Sequence, residues 1–332
     1  MAFYKKIFKS FDTIYIGGGT PSLLSIQQIA AVLKAINGLY KIDQQAEVTI
    51  EVNPGDTSLE YFQSLRSLGI NRLNIGVQSF DDRLLKFLGR RHSAADAIEA
   101  LQYARAAGFG NIGIDLIYGI HGQDICSWKQ ALQRALMFSP EHVSCYQLSL
   151  SKKAPLLRQY IKDAFPLPTE DQSLDFFLTT SQILDNAGYI HYEVSNFAQT
   201  QDLRSRHNMK YWRHVPYLGL GPGAHSFIDN KRWWNKAAVK TYLKEIDEGK
   251  TPVERSEELS SEQLQLESLF LGMRTKDGID INLYKTKYGS DLLANRESII
   301  DELIKNRLVA IKDGFLRPTL AGMAIADSLA LI

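Results

Sequence analysis

From Phe11 to Asn196 the apolar residues fall into two alternating periods. Phe11–Ile16 is a short apolar run, and helical spacing then takes over across Ile26–Asn37, opened by the capping box Ser25-Ile-Gln-Gln28 and closed at Gly38. Strand-like runs return at Ala46–Val52, Asn71–Val77, Ile112–Tyr118, His142–Leu150 and Tyr189–Val194. Between them lie helical runs: one capped by Thr57-Ser-Leu-Glu60, with Leu59, Phe62, Leu65 and Leu68 on one face, then Asp82–Leu88, Ala94–Ala107, Ile125–Met137 and a stretch near Leu174–Asn186. Strands alternating with helices predict an α/β fold with parallel pairing and right-handed crossovers. The pattern alone leaves a barrel and an open doubly wound sheet both standing. Several strands end in polar residues, at Gly17–Thr20, Glu51-Val-Asn53, Gln78-Ser79 and Glu193-Val-Ser-Asn196, and Asp115 lies within its own strand. In barrel-type domains such strand ends build the ligand site.

After Asn196 the rhythm gives way to an aromatic, glycine-rich stretch containing Arg204-Ser-Arg-His-Asn-Met-Lys-Tyr-Trp212, Tyr217-Leu-Gly-Leu-Gly-Pro-Gly-Ala-His-Ser226 and Trp233-Trp234. It is neither strand-like nor helical throughout. From about Val253 helical spacing resumes, with a capping box at Ser260-Ser-Glu-Gln263 and a helix at Ile299–Lys305; a hairpin over Leu308–Arg317 turns at Asp313-Gly314. The expected organisation is a barrel-type domain over residues 1–200, a connecting segment over 201–252 and a helical, winged-helix-like α+β appendage over 253–332.

Composition narrows the function classes. With 45% hydrophobic residues, 23% charged and a net charge of +1, the chain has no basic excess of the kind that points to nucleic acid. No apolar run approaches the ~20 residues of a membrane span and the N-terminus lacks a signal-peptide core, so a cytoplasmic location is expected. Cys126 and Cys145 are too few for a disulfide framework and have no metal-ligand spacing; both read as small buried apolar residues.

Gly17-Gly-Gly-Thr-Pro21 fits neither the dinucleotide G-x-G-x-x-G nor a P-loop. A glycine-rich turn after a strand is as often a tight connection as a ligand cradle. Glu51, Gln78, Arg90 and Asp115 would share its rim, a mixture suited to a zwitterion bearing ribose hydroxyls; each alone also reads as a surface ion pair or a helix cap.

Taken together, Gly17-Gly-Gly-Thr-Pro21, Glu51-Val-Asn-Pro54, Gly76-Val-Gln-Ser-Phe80, Leu88-Gly-Arg-Arg-His92 and Asp115-Leu-Ile-Tyr-Gly119 resemble the radical S-adenosylmethionine family of oxygen-independent coproporphyrinogen III oxidases. His207-Asn-Met-Lys-Tyr-Trp212 and the Tyr217–Ser226 segment are similar to its HemW branch, oxidase-like proteins regarded as heme chaperones. The resemblance implies a partial (βα)6-type TIM barrel with S-adenosyl-L-methionine across the strand ends. Gly18, Gly19 and Thr20 would contact its methionyl part, with Glu51, Gln78, Arg90, Asp115 and Ser149 as further ligands. With the resemblance His207 becomes the candidate heme iron ligand, Tyr211 and Trp212 being one helical turn on and able to pack on a porphyrin face; beyond the resemblance, Arg204 and Arg206 are expected to reach its propionates, and His225 is a second candidate. Without the resemblance, a histidine beside two aromatics reads as a packed or capping residue.

One element departs from the family. Its [4Fe-4S] cluster is held by a C-x-x-x-C-x-x-C loop after the first barrel strand, and this chain contains no such loop. The expectation is a barrel lacking its first strand, the missing βα unit of ~30 residues lying upstream, and a chain that does not itself initiate radical chemistry. The expected function is a HemW-like heme-binding protein that passes heme to acceptors such as respiratory enzymes. The alternatives are oxidative decarboxylation of coproporphyrinogen III in porphyrin biosynthesis and a barrel remnant that binds neither ligand.

Overall fold

A curled, seven-stranded half-barrel sheet fills most of Asp12–Ala35 and Asp43–Ser205, one of two units into which the chain divides in the computed structural model, which describes residues 1–150, 155–294 and 296–329. Its elements run β1 (Ser10–Ile16), α1 (Ile26–Leu39), β2 (Lys41–Val52), α2 (Leu59–Ser67), β3 (Arg72–Gln78), α3 (Asp82–Phe87), α4 (Ala94–Ala106), β4 (Ile112–Tyr118), α5 (Ile125–Leu136), β5 (His142–Gln147), α6 (Pro155–Asp163), α7 (Glu170–Asn186), β6 (Ile190–Glu193) and β7 (Asn196–Ala198). The strand order is β1-β2-β3-β4-β5-β7-β6, and β2 through β5 pair in parallel.

Period-2 alternation gives this sheet two unlike faces. Ile50 and Val52, Leu73 and Ile75, Ile112, Ile114 and Leu116, and Val143 and Cys145 pack in one core with Phe62 and Leu65 of α2, Leu101 of α4 and Trp128 and Leu132 of α5. The intervening positions are polar or glycine: Thr49 and Glu51, Arg72, Asn74 and Gly76, Gly113 and Asp115, His142 and Ser144. Register aligns them across the sheet, Glu51 with Asn74, Asn74 with Gly113 and Asp115 with Ser144. Thr49 Oγ1, Arg72 Nε, Asp115 Oδ1 and His142 Nδ1 on this face are buried without a hydrogen-bond partner among the described residues. Folded proteins leave few such atoms, so this face is set apart from ordinary packing.

Several expected boundaries shift. α1 continues through Gly38 to Leu39 and leads almost directly into β2, which starts at Lys41 rather than Ala46. Ser58, not Thr57, caps α2, accepting from the Tyr61 N–H. The expected sixth strand does not lie beside β5. The three-residue β7 intervenes, antiparallel to both β5 and β6, so Glu193-Val-Ser-Asn196 is the link of a small hairpin and not a polar strand end on the rim. There Glu193 accepts from the Asn196 side chain and the Ser195 N–H, and both side chains are buried.

The second unit comprises Met1–Phe11, Ile36–Ile42 and Arg206–Ile332. It contains α8 (Arg206–Trp212), β8 (His225–Ile228), β9 (Lys231–Asn235), α9 (Val239–Asp247), β10 (Val253–Glu258), α10 (Ser261–Gly272), β11 (Ile279–Asp280), α11 (Ile281–Tyr288), α12 (Glu297–Lys305), β12 (Val309–Lys312), β13 (Phe315–Pro318), α13 (Leu320–Ala324) and α14 (Ala326–Leu329). The aromatic stretch read as irregular forms an antiparallel sheet, β10-β9-β8, and Val253–Glu258 is strand where helix was expected. Its buried Trp233 stacks on Tyr4 at 5.7 Å and lies 6.4 Å from Phe8, which accounts for the aromatic lead at the N-terminus. The winged-helix-like appendage has the expected hairpin: Asp313 (φ +54°) and Gly314 (φ +78°) turn β12 into β13, and β11 pairs beyond β13. Leu269, Met273, Ile279, Tyr284, Ile300, Val309 and Leu316 form its core.

Candidate functional site

A cleft of about 270 Å³ opens at the carboxyl ends of β1 to β4, lined among others by Gly19, Thr20, Glu51, Gln78, Arg90 and Asp115. The structure thus brings together six of the expected ligand residues. The glycine loop supplies the first wall. Gly18 (φ +80°) and Gly19 (φ +63°) adopt backbone that L side chains rarely take, and the Gly18 N–H donates to Glu51 Oε2 at 3.0 Å. Glu51 Oε1 accepts from Tyr15 Oη at 2.9 Å, so the carboxylate ties β1 to β2 beside the loop.

β3 forms the floor. Its pairing with β4 slips between Ile75 and Gln78, and Gln78 has φ +64°, an irregularity that turns its side chain into the cleft. A Cβ on Gly76 would stand 2.9 Å from Gln78 Nε2 and 3.3 Å from Arg90 Nη2, so glycine is what admits both side chains. Gly113 performs a similar service for Asn74, whose Nδ2 donates to Asp115 Oδ2 at 2.6 Å.

Burial raises the Asp115 carboxyl to about 6, with the neighbouring Ser144 hydroxyl and the Asn74 amide opposing the shift and nearby Glu51 adding to it. Arg90 is also held below its ordinary value by burial, against the pull of Asp115. Its Nη2 donates to Asn53 Oδ1 at 3.2 Å and to the Gly76 carbonyl at 3.4 Å, while Nε is buried without a partner. A guanidinium with an unengaged edge and a carboxyl with an unengaged oxygen, in one glycine-floored cleft, suit a ligand that carries both an anionic and a donor end. S-adenosylmethionine fits this donor set.

Ser149 differs from the other candidates. It is exposed, two residues beyond the end of β5, and is not among the residues lining the cleft. Asn53, Asn74, Gly76 and Arg91 line the cleft but were not singled out. The alternation of β2 and β3 was the available signal, since Asn53 repeats the side of Glu51 and Asn74 stands in register with it.

On α8, His207 Nε2 lies 2.9 Å from Tyr211 Oη, and the two rings meet edge-on at 5.2 Å. Tyr211 in turn meets Tyr217 at 4.7 Å. Trp212 carries the Arg274 guanidinium over its ring at 5.5 Å. Arg204 is buried and stacks over Tyr192 at 5.3 Å, so it is not a surface group reaching for propionates. Exposed His225 stacks on Trp234 at 5.5 Å.

Two thiols cannot supply the three ligands of a [4Fe-4S] loop, and the geometry separates them further. Cys126 is exposed on α5, contrary to its expected burial, whereas Cys145 is buried in β5, where burial pushes its thiol well above its usual range. The residues of this chain therefore do not fit the cluster.

Comparison with known proteins agrees with this architecture. The radical SAM superfamily model matches residues 3–135 and the HemN C-terminal domain model matches residues 259–325. The heme chaperone HemW of Lactococcus lactis subsp. lactis is 36% identical over 310 residues, covering 91% of this chain and 80% of the relative. The chain belongs to the HemW family. A second HemW, from Bacillus subtilis, is 34% identical over 90% of this chain and 78% of its own length. The fold of this HemW-family chain matches the radical SAM enzyme coproporphyrinogen III oxidase (HemN) of Escherichia coli with a TM-score of 0.82, over 97% of this chain and 77% of that one, at 24% identity. At that identity the likeness concerns fold alone.

Proposed function

We propose that this chain is a heme-binding carrier of the HemW family, passing heme to acceptor proteins such as respiratory enzymes in the cytoplasm, and that its cleft holds S-adenosylmethionine. The observation that carries the heme reading is the similarity, over nine-tenths of the chain, to relatives named heme chaperones. The coproporphyrinogen oxidase reading has behind it a likeness of fold and the short HemN C-terminal domain match. His207 is the iron-ligand candidate, on a short helix with Tyr211 one turn along.

In the cleft, Arg90 would pair with the methionyl carboxylate, Asp115 would accept from the ribose hydroxyls or the ammonium, and the Gly18–Gly19 backbone would lie against the methionyl chain. S-adenosylmethionine supplies an adenosyl or methyl group to reactions that cleave its sulfonium bonds. Here the residues bind and orient it, while the glycines of the cleft floor admit it.

Titration with hemin, followed by the Soret band, tests the carrier. Wild type is expected to bind and shift the band, and His207→Ala to weaken binding and alter the band's position. Unchanged affinity and an unchanged band would sink the ligand role.

A further inference from the structure

We propose that Asn53 is a positioning residue that holds Arg90 for the carboxylate of the cleft ligand while keeping its charge unpaired. This rests on the reading of the cleft as an S-adenosylmethionine site. Asn53 stands immediately after β2, two residues beyond Glu51 and still extended, so alternation sends both side chains the same way. Pro54 restricts the residue before it to extended backbone, and Asn53 has φ −91° and ψ +126°. Its own N–H donates to Ser22 Oγ at 3.0 Å.

The two charged neighbours set the orientation of the amide. Nδ2 donates to Asp56 Oδ2 at 3.2 Å, and Oδ1 accepts from Arg90 Nη2 at 3.2 Å. Reversed, the amide would turn its NH2 toward a guanidinium and its oxygen toward a carboxylate. His92 packs against the amide, its Nε2 donating to the Val77 carbonyl at 3.0 Å and its Nδ1 3.1 Å from Oδ1, a contact that becomes a hydrogen bond when the imidazole carries both protons. Asn53 and His92 are both buried, so this is a braced support and not a mobile surface contact.

The consequence lies in how two adjacent arginines are treated. Arg91 Nη2 pairs directly with Asp56 Oδ2 at 2.9 Å. Arg90 meets the same carboxylate only through the neutral amide of Asn53. Among the described residues its side chain is thus anchored at Nη2 alone, and Nε has no partner. With both Nη2 protons donated to Asn53 and Gly76, and no carboxylate in direct contact among the described residues, the anchored guanidinium keeps Nε and Nη1 to donate to a carboxylate from the ligand.

The test compares S-adenosylmethionine with 5′-methylthioadenosine, which keeps the adenosine and lacks the amino-acid end. Both are titrated into the full chain as wild type, Asn53→Ala, Arg90→Ala and the double variant. Asn53→Ala is expected to weaken S-adenosylmethionine about tenfold, the scale of a charge-assisted contact, and to leave methylthioadenosine within about twofold. In the Arg90→Ala background it is expected to add nothing, because it acts through that residue. Equal loss for both ligands, additive loss in the double variant or no loss at all overturns the proposal. Should Asn53→Ala fail to fold in a thermal melt, Asp56→Asn leaves Asn53 in place and weakens its anchor; selective loss there, about threefold, supports the proposal and unselective or absent loss overturns it. A wild type that binds neither ligand overturns the cleft reading itself, a result distinct from binding without selectivity.

Discussion

The cleft at the ends of β1 to β4 and the helix α8 both carry ligand chemistry in their sequence, yet they differ in what their polar atoms are doing. In the cleft, Arg90 Nε and Asp115 Oδ1 are buried with no partner among the described residues, so an occupant gains bonds without breaking any at those atoms. On α8, His207 Nε2 already faces the Tyr211 hydroxyl at 2.9 Å. An iron taking that nitrogen must first displace a hydrogen bond worth about 0.5–1.5 kcal/mol. The cleft offers these atoms unengaged, whereas the α8 imidazole would have to give up a bond before taking an iron.

The sharpest way to break this contrast is Arg90→Ala. Removing a charge-assisted pair with the carboxylate is expected to cost about 1.5–3 kcal/mol, a loss of roughly 10- to 150-fold in S-adenosylmethionine affinity by calorimetry. An unchanged affinity would mean that the unengaged Nε has no bearing on the ligand.

A smaller effect comes from pH. Asp115 titrates at about 6, raised mainly by burial, and only its ionised form accepts from a ligand donor on both oxygens. Affinity is therefore expected to fall as pH drops through 6, and Asp115→Asn to flatten that profile. Stability runs in the opposite sense. The folded state holds the Asp115 proton more tightly than the unfolded state, so the benefit of that proton, present at acid pH, is lost as pH rises through about 6. Asp115→Asn should melt higher than wild type at pH 8, with the gap closing toward pH 4. A gap that is the same at both pH values would contradict the burial argument.

The smallest predicted change sharpens the α8 side. Tyr211→Phe removes the hydroxyl contact from His207 Nε2 and is expected to tighten hemin binding by about twofold to fivefold, within the range of one neutral hydrogen bond. Weaker binding would show instead that Tyr211 orients the imidazole for iron.

Legibility in the sequence followed the length of the repeating signal. Strands of six or seven residues with apolar alternation, such as Ile112–Tyr118, stood out, and with them the rim residues Glu51, Gln78 and Asp115. Asn53 was visible only as part of Glu51-Val-Asn-Pro54, because its role depends on Asp56, Arg90 and His92, which the fold brings to it. The β10-β9-β8 sheet was missed for a related reason. Val-Glu-Arg-Ser-Glu-Glu has no apolar alternation, and its strand character comes from pairing with Lys231–Asn235. Likewise, the backbone reversal at β7 occupies three residues, too few for any period to register.

That reversal also sets a limit on growth. Parallel strands added by successive βα units have no intrinsic stop, and an open edge invites pairing with a foreign chain. Here β7 turns back along β5, and the strand left outermost on that side, β6, has only four residues, with His191, Tyr192 and Glu193 buried. The sheet thus ends there in a short, covered border that offers little for another strand to join.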